Sequence, residues 1–115
     1  MKARPVKLSG VPGKPWMQCS VEEATHLTIN LPGPVGHLTL PVIRHGTRAG
    51  TGNWTWNGSV DKPTLRPSLL TTNGPGGWRC HCWVNDGQAQ FLADTTHQFV
   101  DQTVDLLDVE FASED

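Results

Sequence analysis

Apolar and polar residues alternate along much of this chain and almost nowhere recur at helical spacing. From His26 to Leu31 the alternation sets Leu27, Ile29 and Leu31 on one face, the period-2 signature of a half-buried strand. His37 to Arg44 reads as a second strand, with Pro41 marking an edge or a bulge because proline brings no N–H to a ladder. The Leu31-Pro32-Gly33-Pro34 segment between them is a turn. His45 to Gly52 reads as a Gly/Thr-rich loop, and Trp54-Thr55-Trp56 as a short strand stopped by the turn dipeptide Asn57-Gly58. Thr64 to Thr72 carries the apolar pair Leu69-Leu70, and Asn73 to Gly77 is a glycine-rich loop. Trp78 to Asn85 and Gln88 to Leu92 flank Asp86-Gly87, which suits the positive-φ turn of a tight hairpin. One helical turn is expected between Asp94 and Val100, with Asp94 or Thr95 as its N-cap. Thr103 to Phe111 reads as a last strand or an extended tail.

With 115 residues, 12 of them glycine and 9 proline, the chain fits one domain of many short strands joined by tight turns. The expected class is mainly all-β, a small β-sandwich or partly open barrel with one short helical turn. No apolar run reaches the roughly 18 residues a spanning helix needs. Met1 to Pro5 lacks the apolar stretch of a secretory signal, so a cytoplasmic protein is expected. The net charge of −2 conceals an asymmetry. Lys2, Arg4, Lys7 and Lys14 sit in an acid-free segment, and residues 1–20 are expected to form a flexible basic arm. Residues 108–115 are expected to form an acidic tail. A basic arm with Trp54 and Trp56 is the weakest of the functional readings, nucleic-acid binding, because the tail repels phosphate and no basic stripe crosses the body.

The residues with the most chemistry lie between Cys80 and His97. On a strand, Cys80 and Cys82 point to one face and His81 to the other. Thiolate and imidazole favour Zn2+ over magnesium or calcium. Cys80 and His97, joined by His81, Cys82 or the distant His37, are the expected zinc ligands. The competing reading makes Cys80 and Cys82 small buried hydrophobes. A thiolate nucleophile on Cys80 or Cys82, with His97 as base and Asp94 orienting it, is a lesser alternative. Ser68 and Ser59 lack the Gly-x-Ser-x-Gly context of a nucleophile elbow and are not singled out. Trp54 and Trp56 form either core or a stacking platform. Asn57, Arg66, Trp83 and Asp94 complete a candidate binding surface, with Arg66 the cation for a carboxylate or phosphate.

Five segments in fixed order carry a family resemblance. They are Asn53-Trp54-Thr55-Trp56-Asn57-Gly58, Lys62-Pro63-Thr64-Leu65-Arg66-Pro67-Ser68-Leu69-Leu70, Cys80-His81-Cys82-Trp83-Val84-Asn85-Asp86-Gly87, Gln90-Phe91-Leu92-Ala93-Asp94-Thr95-Thr96-His97 and Gln102-Thr103-Val104. The chain thereby resembles a family of uncharacterised small proteins of tailed-phage and prophage genomes. The resemblance implies a mostly β fold and a metal site with no assigned reaction. It also implies that Leu31, Pro34 and Thr95 stand where relatives carry further cysteines. The resulting expectation is a phage-derived accessory protein in the cytoplasm of an infected or lysogenic bacterium. It would act by binding a host or phage protein, with zinc at Cys80 and His97. The alternative is a zinc-dependent hydrolase.

Overall fold

The computed structural model describes residues 1–44 and 53–109; the loop expected over His45 to Gly52 and the tail after Val109 lie outside the described residues. Nine strands run through the described residues: β1 (Ala3–Val11), β2 (Lys14–Gln18), β3 (His26–Leu31), β4 (Gly36–Arg44), β5 (Trp54–Trp56), β6 (Leu65–Thr72), β7 (Arg79–Asn85), β8 (Gln88–Phe91) and β9 (Thr103–Asp105). They form one sheet in the order β2-β1-β3-β4-β5-β6-β7-β8-β9. Every neighbouring pair is antiparallel except β4 and β5, which run parallel. The all-β class is as expected, in its partly open form.

Local sequence explains the register. Leu27, Ile29 and Leu31 all point into the core, and a shift by one residue would turn all three to solvent. Pro41 does not mark an edge, since β4 is an interior strand. It sits where β4 changes neighbours: pairing with β3 ends at Pro41 opposite His26, and pairing with β5 begins at Val42 opposite Trp54. A residue without an N–H costs least at such a handover.

The basic N-terminal stretch is not a free arm. Ala3, Arg4, Pro5 and Val6 are buried, and β1 lies between β2 and β3. The backbone N–H groups of Lys2 and Ala3 both donate to Val60 O, at 2.8 and 3.0 Å. Leu107 N donates to Asn30 O at 3.0 Å. These seams bring the two halves of the curled sheet over a single core that includes Leu27, Ile29 and Leu40 from one half and Trp56, Leu69, Cys82, Phe91 and Leu106 from the other.

Two features of β6, β7 and β8 set up the site. The β7–β8 hairpin closes at Asp86-Gly87 with φ of 47° and 78°, as the dipeptide predicts. Between β6 and β7 the register slips. Leu65 faces Val84, yet Leu69 faces Cys82, so Arg66, Pro67 and Ser68 oppose Trp83 alone. The Arg66–Pro67 peptide is cis.

In place of the expected helical turn, residues 97–102 make hydrogen-bonded turns, Val100 N to His97 O and Gln102 N to Phe99 O. Asp94 and Thr95 do not cap a helix, because their side chains are engaged with β7.

Gly87 is buried and accepts no side chain. An added Cβ would stand 3.0 Å from Asp61 O, on a backbone already at positive φ. Gly87→Ala should destabilise the fold by about 2 kcal/mol, read as a lower midpoint in urea denaturation.

Candidate active site

The outward face of β7 carries Arg79, His81 and Trp83, and the inward face carries Cys80, Cys82 and Val84. Alternation therefore separates the Cys-His-Cys triplet, as the strand period requires. On the outward face Leu70 of β6 stands directly opposite His81, and Ser68 is its diagonal neighbour. Ser68 Oγ lies 3.1 Å from His81 Nε2. On the far side of the imidazole, Nδ1 lies 2.9 and 3.0 Å from the two carboxylate oxygens of Asp94. The carboxylate fixes the tautomer: Nδ1–H donates to Asp94, leaving Nε2 to accept the Ser68 O–H. His81 and Asp94 are 26% and 44% exposed, so a substrate reaches them without any opening of the fold.

The surroundings explain how each member is held. Ser68 is the last residue of the β6 bulge. Arg66 spans that bulge: Nη1 donates to Leu65 O at 2.7 Å and to Val84 O at 3.3 Å, and Nη2 donates to Asn85 Oδ1. Its guanidinium also lies 5.2 Å over the Trp83 ring, a favourable stacking for a weakly hydrated cation. Asp94 occupies the third position of a turn closed by Thr95 N donating to Leu92 O at 3.0 Å. Arg79 Nη1 stands 3.8 Å from the Asp94 carboxylate. A recess of about 180 Å3 lined by Thr55, Trp56, Asn57, Thr64 and Arg66 lies beside the bulge.

The other expected site residues are distributed elsewhere. Trp56 is buried and donates through Nε1 to Ser59 O at 3.0 Å, and Trp54 is half-buried against the same core. Asn57 ties its own corner, accepting from Ser59 N and Thr64 N. His37 is exposed on β4, opposite Asn30.

Cys80 and His97 do meet, on the buried side of β7. Cys80 falls to a pKa of about 6, chiefly through a hydrogen bond from the Cys82 thiol, with His97 adding to the effect and burial opposing it. The Cys82 thiol is raised by the same bond. His97 is wedged 4.8 Å edge-on to Phe91 and packs on Phe99. Its Nδ1 accepts from Phe99 N at 3.2 Å, and the ring lowers Cys80 as a hydrogen-bonding and electrostatic neighbour.

The zinc expectation is corrected by this arrangement. Among the described residues no group of three or more His, Cys, Asp or Glu side chains could hold a metal ion. His81 faces away from the cysteines and is occupied by Ser68 and Asp94. The turn that reaches His97 presents Gly33, where an added Cβ would stand 3.2 Å from His97 Cε1, and its Leu31 and Pro34 are not ligands.

A serine hydroxyl, an imidazole and a carboxylate bonded in this order form the constellation that serine hydrolases use, on many unrelated folds. The family model described as bacterial ubiquitination-like system serine protease (BubE) matches residues 10–92, and the chain belongs to that family. No curated protein and no solved structure matches. The family membership overturns the expectation of a phage-derived accessory protein acting by binding, and with the absence of a metal cluster among the described residues it overturns the zinc-hydrolase alternative. A distinct small-protein family is what the motifs implied; its attribution to phages does not stand.

Ser68 is the member that sequence reasoning missed. The usable signal was a pair of hairpins. Folding the chain about 73–78 sets position 68 diagonal to His81 on the same outward face, and folding it about 86–87 returns Asp94 to the other side.

The Cys80 pair yields a measurable titration. One thiolate should appear near pH 6 in absorbance at 240 nm, vanish in Cys80→Ala and move upward in Cys82→Ala. Because its folded pKa lies below the ordinary thiol value of 9.0, Cys80 contributes stability that grows as pH rises from about 6 toward that value and is lost as pH falls through about 6, while the raised Cys82 thiol opposes it above the ordinary value.

Proposed function

We propose that the protein is a serine protease in which Ser68 is the nucleophile, His81 the general base and Asp94 the residue that orients the imidazole. The observation that carries this reading is the unbroken chain Ser68 Oγ to His81 Nε2, then His81 Nδ1 to Asp94. The family description, a serine protease of a bacterial ubiquitination-like system, supports it, and we take the substrate to be a protein of such a system.

His81 Nε2 accepts the Ser68 proton as Oγ attacks the scissile carbonyl carbon. The resulting imidazolium is stabilised by Asp94, which keeps its own negative charge. Collapse of the tetrahedral species breaks the C–N bond, and the leaving amine takes the proton from Nε2. An acyl ester on Ser68 remains. A water molecule, deprotonated by His81, then attacks the ester and restores the Ser68 hydroxyl.

A fluorophosphonate probe tests the assignment directly, because it reacts fastest with an activated serine. Intact-mass and peptide analysis should place one adduct on Ser68, with no adduct in Ser68→Ala or His81→Ala. Asp94→Asn should slow labelling by about 10³-fold or more, since the amide no longer selects the reactive tautomer. An adduct on another residue, or an unchanged rate in His81→Ala, would refute the proposal.

A further inference from the structure

The three triad residues come from three separate segments, and one side chain outside the triad touches the joint between two of them. Thr95 is 4% exposed, one of three buried polar or charged residues among those described. Its hydroxyl makes two bonds to the backbone of a single residue, His81. Oγ1 accepts from His81 N at 3.2 Å and donates to His81 O at 2.9 Å. Leu92 N donates to the same carbonyl at 2.8 Å.

These bonds replace a missing strand. β8 ends at Phe91, so beyond it β7 has no regular ladder partner on that edge. Residues 95 and 96 fill the gap with side chains. Thr96 repeats the pattern one step away, its Oγ1 accepting from Arg79 N at 2.7 Å and its N donating to Arg79 O at 2.9 Å. The segment after Asp94 is thereby fastened to the stretch of β7 that contains His81. Asp94 is covalently next to Thr95, and the Asp94 carboxylate faces the His81 ring. The Thr95 hydroxyl therefore fixes the distance between the two residues whose side chains form the Nδ1 bond.

We propose that Thr95 is a positioning residue for catalysis: its buried hydroxyl holds the Asp94 turn against the His81 backbone and so sets the His81–Asp94 alignment. The proposal rests on the triad reading above. Valine at this position keeps the shape and removes both bonds, leaving the His81 N–H buried without a partner and freeing the Asp94 turn to shift. Hydrogen bonding from a hydroxyl to an imidazole's own backbone acts on orientation and not on substrate contact, so its loss falls on turnover.

The test uses the full chain and p-nitrophenyl acetate hydrolysis. Wild-type turnover that disappears in Ser68→Ala establishes the triad reading; turnover independent of Ser68 would overturn that reading and Thr95's role with it. Given Ser68-dependent turnover, Thr95→Val should lower kcat about 10- to 100-fold with KM little changed, the cost of a small misplacement in a catalytic group. Thr95→Ser, which keeps the hydroxyl, should restore it. The low-field proton NMR signal of the His81 Nδ1–H should be present in the wild type and Thr95→Ser and be lost in Thr95→Val. In an Asp94→Asn background Thr95→Val should cost nothing more, because the alignment it serves is already gone. An unchanged kcat and proton signal in Thr95→Val, or an equal loss in the Asp94→Asn background, would overturn the proposal while leaving the triad intact. Should Thr95→Val not fold, Thr95→Cys, which keeps the volume and weakens both bonds, decides by the same readings.

Discussion

Three residues of β6 stand against one residue of β7, and the site depends on that mismatch. Arg66, Pro67 and Ser68 occupy the space opposite Trp83. The count matters. One extra residue would turn every later side chain of β6 to the opposite face; two extra residues do not. Leu65 before the bulge and Leu69 after it are both buried, so the core is preserved across the irregularity. The bulge also breaks the ladder locally, and Arg66 replaces the missing bonds with its own donors to Leu65 O and Val84 O. A cation two residues from Ser68 thus has a structural assignment, one that its position beside a polar corner did not foretell.

β7 is the common support for two different chemistries. Its inward side contributes Cys80 and Cys82 to the core, where burial and the mutual hydrogen bond govern the thiols. Its outward side carries His81, with solvent on one face and Asp94 behind it. Separation by strand alternation is complete, since neither cysteine contributes to the Ser68–His81–Asp94 chain. The same separation prevents His81 from joining Cys80 and His97 around one ion. The strand period therefore both built the active-site face and dismantled the apparent ligand cluster.

Much of this fold can be read from the chain, because its information is local. The alternation at Leu27, Ile29 and Leu31 and the Asp86-Gly87 turn depend on adjacent residues and appear as expected. Pro41 was misread because its tolerance comes from a change of neighbours, which is a property of the sheet. The basic arm was misread because burial of Arg4 depends on β3, distant in sequence. The site was half legible. Alternation already turned His81 away from the cysteines, and Asp94 was recognised as a partner for an imidazole, though paired with His97. Ser68 was passed over because the expected signature belongs to a strand-to-helix elbow, while here the serine is presented by a bulge between two antiparallel strands. Nothing in the immediate neighbours of Ser68 announces that; only the register of two hairpins does.

Both triad hydrogen bonds span a sequence separation of 13 residues. Closing a flexible loop of that length costs about 2.3 kcal/mol by the logarithmic term alone. A triad gathered from residues 100 apart would face about 4 kcal/mol for each closure on the same scale. The reacting groups here are therefore assembled by two successive short-range closures, in chain order, within one contiguous stretch of 27 residues. The first four strands enclose the core and are not needed to bring these three side chains near one another. In kinetic terms the site has low contact order even though the sheet that carries it does not.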